Sequence, residues 1–146
     1  MLEWKEYGGE YDALGVGVEG IVFGVDNLKE NRKSALRLSL CINKADTIRE
    51  IGIRRICQAP NIVKFYGEKF FKNSSGNEFI VLELERCKYS LSHHLELQRI
   101  NGECSDEQKH ILALQILNSV NFLHEHRILH RNINLDSFLI SENASG

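Results

Sequence analysis

The sequence predicts an α+β fold in which strands come first and helices follow. Two observations carry this. From Tyr11 to Leu40, short runs of Val, Ile, Leu and Phe are punctuated by Gly15, Gly17 and Gly20, the mark of strands joined by turns. Much later, Ile111, Leu112, Leu114, Leu117, Val120 and Leu123 recur at helical spacing. With 146 residues, 42% of them hydrophobic, the chain is sized for one domain with a real core.

The elements follow in order. Gly15, Gly17 and Gly20 sit in the first turn, and the next strand opens near Ile21. A helix is predicted around Ala45–Cys57, where Ile48, Ile51, Ile53 and Ile56 recur among Arg and Glu; Pro60, the only proline, stops it. Ile62–Tyr66 and Phe79–Leu84 read as two strands of a hairpin around the polar turn Lys72–Asn77. After Cys87 the sheet is expected to end, and Leu91–Leu97 begins a short helix. Ser105, with Gln108 three residues on, is a capping-box signature that starts the long helix. That helix closes near His124–Arg127, after which Ile128–Ile140 alternates apolar and polar groups over a loop and a short strand.

Charge and cysteine usage exclude several functions. Eighteen Lys and Arg against 20 Asp and Glu give a net charge of -2, which supplies no long-range pull toward nucleic acid or an anionic membrane. Cys41, Cys57, Cys87 and Cys104 form no C-x-x-C pair, so neither a disulfide framework nor a zinc knuckle is indicated, and a reducing cytoplasmic setting is expected. His93, His94, His124, His126 and His130 show no recognised ligand spacing, so no metal site is expected. Met1–Tyr7 is charged and lacks the apolar stretch of a secretory signal. Ile111–Leu123 is interrupted by Gln115, Asn118 and Asn121 and is too short to cross a bilayer, so no membrane span is expected within the chain. Asn73-Ser74-Ser75 and Asn143-Ala144-Ser145 match a glycosylation pattern that recurs by chance.

Four segments carry chemistry. Leu14-Gly-Val-Gly-Val-Glu-Gly-Ile-Val22 matches G-x-G-x-x-G-x-V, in which glycines let backbone amides approach phosphates; a plain glycine-rich hairpin turn accounts for it about as well on its own. Because the glycines lead into a strand and not a helix, a dinucleotide-binding unit is excluded. Ala35-Leu36-Arg37 and Glu50 follow, then Pro60-Asn-Ile-Val63. Phe79–Leu91 comes next, with either Glu83 or Glu85 opening a connection. Last is His130-Arg131-Asn132-Ile133-Asn134-Leu135-Asp136-Ser137.

In this order the segments resemble the protein kinase superfamily from about Leu14 to Ile140. The resemblance implies a partial kinase-like domain over residues 1–146, with a small lobe of twisted antiparallel sheet plus one helix, and its connection, over about 11–86. The start of a helical large lobe follows over about 87–146. It places ATP at Leu14, Gly15, Gly17, Gly20, Val22, Ala35 and Arg37, and an Arg37–Glu50 ion pair where the family has Lys–Glu; an ordinary surface ion pair is the plainer alternative.

The catalytic loop departs from the family at its working positions. Asn132 stands for the aspartate that accepts the substrate proton, Ser137 for the metal-holding asparagine, and Asn134 for a lysine. A neutral amide is no general base, and loss of that role forfeits about 10²- to 10⁴-fold in rate. No catalytic residue is therefore intact among His130, Arg131, Asn132, Asn134 and Ser137. His130 is expected to bond nearby backbone, and Asp136, one place early, to point away from the metal position. Mg2+ is not expected to find its usual ligands, since the chain also stops before a D-F-G.

The Glu19 variant of the glycine loop, Arg49-Glu50-Ile51 and the tail Leu139–Gly146 are similar to the stress-sensor kinase-endoribonucleases of the unfolded-protein response and to ribonuclease L. The function implied is a pseudokinase that binds ATP weakly or not at all and regulates or scaffolds a partner, in the cytosol or on the cytosolic side of a membrane. The alternative is part of an ATP-binding serine/threonine kinase whose remainder supplies activity. A protein partner or self-association is expected through the large-lobe face, where the Ile111–Leu123 stripe lacks its usual cover.

Overall fold

The computed structural model describes residues 6–17, 20–102 and 105–142. Glu19, Cys104, Asn143-Ala144-Ser145 and the end of the tail, on which some of the expectations above rest, lie outside them. The chain divides into two compact units.

The first unit is a five-stranded antiparallel sheet with one helix. Its strands are β1 (Tyr7–Gly17), β2 (Gly20–Asn27), β3 (Arg32–Leu40), β4 (Phe65–Lys72) and β5 (Glu78–Glu85), and the helix is α1 (Lys44–Ile56). The sheet order is β1-β2-β3-β5-β4, so only β3 to β5 steps over an intervening strand. Strand alternation gives the sheet two working faces. One carries Tyr7, Val25, Leu36 and Val81, with Phe23, Leu38 and Phe71 packed beside them. The other packs Ile80 and Leu82 against Ile51 of α1, flanked by Phe65 and Leu84. Ala35 and Arg37 lie on this second face, because Ala35 pairs with Leu84 and Arg37 with Leu82.

Local chemistry explains the connections. Asn73 builds the β4–β5 turn: its side-chain oxygen accepts from the backbone N–H groups of Ser75 and Asn77, and Gly76 takes a φ of 83°. Asn43 caps α1 by accepting from Ala45 N–H, and Asp46 sits in the first turn of that helix. The strand expected at Ile62–Tyr66 is displaced. Asn61 adopts a left-handed φ of 63° just after Pro60, so the chain is still turning at Ile62 and β4 begins only at Phe65.

The second unit holds Cys57–Val63, β6 (Cys87–Ser90), α2 (Leu91–Asn101), α3 (Asp106–Glu125), a 3-10 turn (Leu135–Ser137) and β7 (Leu139–Ser141). Sheet structure does not end at Cys87 as expected: β6 pairs antiparallel with β7, a contact across some fifty residues that no local pattern announces. The capping box of α3 is present in full, with Ser105 Oγ accepting from Gln108 N–H and Gln108 Oε1 accepting from Ser105 N–H. On α3, Ile111, Leu114 and Leu117 are 50%, 59% and 62% exposed, so the apolar stripe is largely bare. Among the described residues no helix is long and apolar enough to cross a membrane.

Candidate functional site

The glycine-rich hairpin joins β1 to β2, and its three glycines differ in what requires them. Gly20 has a φ of 128°, and a Cβ there would meet Leu38 O at 2.1 Å; the fold itself demands glycine. A Cβ on Gly15 or Gly17 would meet nothing within 4 Å. Packing does not account for those two glycines. The register slips between Ala13 and Gly15, so Leu14 is the extra residue of a bulge, 41% exposed. Val22 pairs with Arg37, and Gly24 with Ala35, which sets Val22, Ala35 and Arg37 together on the face that also packs α1.

Arg37 is buried at 7% exposure and donates to Glu50 Oε1 at 2.5 Å. The alternative of an ordinary surface pair is therefore replaced by a pair in which one partner is inside the protein. Arg54, four residues along α1, donates from Nε to the same oxygen at 2.9 Å. Burial alone would raise the Glu50 pKa, but Arg37 and Arg54 hold it below the ordinary carboxylate value. Two guanidinium groups on one carboxylate leave this corner with surplus positive charge, which suits a polyphosphate. Arg54 escaped the sequence reading although its i,i+4 spacing from Glu50 was a usable signal.

Glu83 belongs to β5 and points to the opposite face. Its carboxylate accepts from Tyr7 OH (3.0 Å), Asn27 Nδ2 (2.8 Å), Arg32 Nη2 (2.9 Å) and Ser34 Oγ (2.7 Å). Burial by itself would raise its pKa; the four donors pull it below the usual value instead. Burial and the Glu83 charge push the Tyr7 phenol up in turn. Glu83 is thus a strut inside the sheet, and of the two residues proposed to open the connection only Glu85, the last of β5, stands at its exit.

In the second unit the residues of the 130–137 loop bond to each other. Asn134 Oδ1 accepts from the backbone N–H of Asp136 and Ser137, capping the 3-10 turn, while Asn134 Nδ2 donates to Asn132 Oδ1 at 3.0 Å. Ser137 Oγ donates to the Asn132 carbonyl at 2.6 Å. Arg131 takes a left-handed φ of 63°, a strained backbone of the kind that persists where neighbours over-determine it. Asp136 accepts from Ser90 Oγ at 3.2 Å and is directed to β6. His130 differs from expectation: it is exposed and no hydrogen bond to a described residue holds it, because the loop is closed by the Asn132–Asn134–Ser137 network without it. Among the described residues no three His, Cys, Asp or Glu side chains form a metal cluster.

The sequence model of the protein kinase domain matches residues 10–145. The chain belongs to the protein kinase domain family. Serine/threonine-protein kinase polo of Drosophila melanogaster is 34% identical over 99 residues, covering 68% of this chain and 16% of that protein. Serine/threonine-protein kinase pakG of Dictyostelium discoideum is 29% identical over 133 residues, 90% of this chain and 11% of that protein. Mitogen-activated protein kinase kinase 8 of Arabidopsis thaliana is 29% identical over 120 residues, 82% of this chain and 36% of that protein. The matched part of the chain spans from 11% to 36% of these relatives' own lengths. Within the kinase domain, the sheet, α1 and the Arg37–Glu50 pair form the small-lobe portion of the fold, and α2, α3 and the 130–137 loop its following helical portion.

ATP and Mg2+ are the groups this family implies, and the residues fit them unequally. Gly15 and Gly17, with open space where side chains would stand, and the cationic Arg37–Glu50–Arg54 corner fit a nucleoside triphosphate. The 130–137 loop does not fit Mg2+, which favours carboxylate and phosphate oxygens in octahedral geometry: Ser137 brings no charge and directs its hydroxyl to Asn132, and Asp136 is held by Ser90.

Proposed function

We propose that this kinase domain is a pseudokinase module: it takes a nucleoside triphosphate against the α1 side of its sheet and lacks the group that would start phosphoryl transfer. The observation that carries the reading is the closed Asn132–Asn134–Ser137 network, where a kinase needs a carboxylate free to receive the substrate hydroxyl proton. Asn132 offers an amide whose oxygen is already bonded to Asn134. In the nucleotide reading, Gly15 and Gly17 leave room for phosphate to come close to the backbone, Arg37 supplies charge, and Val22 and Ala35 give the base an apolar surface. The triphosphate supplies the charge these groups recognise; the chain supplies binding and orientation.

Several finer features belong to the same proposal. They are a regulatory or scaffolding role toward a protein partner or a second copy through the bare stripe of α3, and a cytosolic place in a stress-response pathway. The likeness to the unfolded-protein-response sensors and ribonuclease L rests on the Glu19 variant of the glycine loop, Arg49-Glu50-Ile51 and the tail pattern. A second reading, part of an active serine/threonine kinase, draws support from the assembled Arg37–Glu50 pair, an arrangement that active kinases also require.

The nucleotide half is tested by titrating ATP into the purified chain by calorimetry, beside Arg37→Met. Binding that weakens about tenfold or more in the variant is expected, since a charged partner of phosphate is removed. No heat at millimolar ATP, or equal affinity in the variant, would refute a phosphate role for Arg37.

A further inference from the structure

Arg86 follows directly on β5, and no sequence motif singles it out. It is placed by a gap in β2. A Cβ added to Gly24 would lie 2.8 Å from the Arg86 guanidinium carbon and 3.0 and 3.1 Å from its two terminal nitrogens. Three such similar distances mean that the guanidinium plane lies face-on against the glycine. The Arg86 side chain is 18% exposed, and its Nη2 is 3.6 Å from Asp12 Oδ2 on β1.

Register shows which face this is. Gly24 pairs with Asp12 on one side and Ala35 on the other, and Ala35 pairs with Leu84, so Asp12, Gly24, Ala35 and Leu84 form one row across the sheet. The neighbouring row on the same face is Val22, Arg37 and Leu82. Rows on one face of a strand are spaced by two residues, about 7 Å. The charged row with the open glycines beyond it suits phosphates. The row one step further away, apolar at Ala35 and Leu84 and covered at Gly24 by the Arg86 guanidinium, suits the ring and sugar of the same molecule.

We propose that Arg86, seated in the Gly24 gap and tied to Asp12, is a positioning residue for the base end of a nucleotide on this face. Its contacts with Gly24 and Asp12 tie the β1–β2 hairpin, which carries Leu14 and Val22, to the end of β5, and so hold in place the surface against which a planar base would rest. This rests on the nucleotide reading above. Gly24 is glycine because the guanidinium occupies the place of its side chain; its own backbone needs no positive φ. The phosphate end is handled by other groups, so the contribution of Arg86 depends on the ligand having a base.

The test uses the full chain and two ligands, ATP and inorganic tripolyphosphate, titrated by calorimetry into wild type, Arg86→Ala, Arg86→Lys and Gly24→Ala, with thermal melts confirming that each variant folds. Arg86→Ala and Gly24→Ala should weaken ATP about tenfold while tripolyphosphate changes less than about twofold. Lysine, with the charge but not the planar fork, should recover only part of the loss. Unchanged ATP affinity in both variants overturns the role of Arg86 and leaves the nucleotide reading standing. Parallel loss of ATP and tripolyphosphate overturns it too, showing a general structural effect. Wild type that binds neither ligand overturns the nucleotide reading and the role of Arg86 with it.

Discussion

Replacing Glu83 by alanine should destabilise the chain by about 3–5 kcal/mol, the range for removing one partner of a buried charged network. The carboxylate is 12% exposed and gathers donors from β1, β2 and β3 onto β5, so one side chain links four of the five strands. Its loss removes the acceptor shared by Tyr7, Asn27 and Ser34, all three of them buried, and leaves Arg32 with Glu30, 3.7 Å away, in place of the stronger pair. Against a typical total of about 5–15 kcal/mol this is a large fraction, and the melting temperature should fall by roughly 6–20 °C. The pH dependence gives an independent check. The Glu83 pKa is lowered in the folded state, so its contribution is present above the unfolded carboxylate value near 4.3 and is lost as pH falls through the lower folded value. The alanine variant should therefore lose stability at neutral pH and show a shallower acid limb than wild type. An unchanged melt, or an unchanged acid slope, would show that the carboxylate is not the strut described.

Gly20→Ala should cost about 3 kcal/mol or more, combining roughly 1–3 kcal/mol of backbone strain at a φ of 128° with a clash against Leu38 O that only backbone movement can relieve. Gly17→Ala, at the neighbouring glycine of the same motif, should change stability by no more than about 0.5 kcal/mol, because its Cβ would enter open space. Denaturant unfolding of the two variants side by side reads this contrast. Equal losses would mean that the hairpin is built as a unit and that its glycines cannot be divided into one kept by packing and others left open for a ligand. ATP titration of the Gly17 variant then completes the division, since weaker binding without loss of stability is the outcome a ligand-facing glycine requires.

These residues also show what was legible in the sequence. The capping box at Ser105 and Gln108, the hairpin of β4 and β5, and the Arg37–Glu50 pair were readable because each rests on short spacing or a motif with its own mechanism. The start of β4 was misplaced by three residues, since Ile62 and Val63 look like strand while the positive φ at Asn61 keeps the chain turning. The β6–β7 pairing and the Arg86–Gly24–Asp12 arrangement depend on contacts far apart in the chain, which periodicity does not encode. Glu83 illustrates the intermediate case. Alternation in β5 fixes which face it points to, but only the register with β3 and the closeness of Tyr7 and Asn27 reveal that it is a structural acceptor instead of part of the connection.

The side chains at positions 132, 134 and 137 belong together in the same way. Asparagine at 134 has the short amide that can cap the 3-10 turn and reach Asn132, which the long cation usual in the family would not do, and Ser137 is small enough to close on the Asn132 carbonyl. The loop keeps its shape through bonds among neutral groups.

The central claim, a kinase domain that holds nucleotide without transferring phosphate, is tested most directly by incubating the chain with γ-labelled ATP and a mixed peptide substrate while bound nucleotide is measured in the same sample. The account predicts bound, unconverted ATP and no label in peptide or protein above the protein-free background. Label transfer that disappears with Gly17→Asp would contradict it.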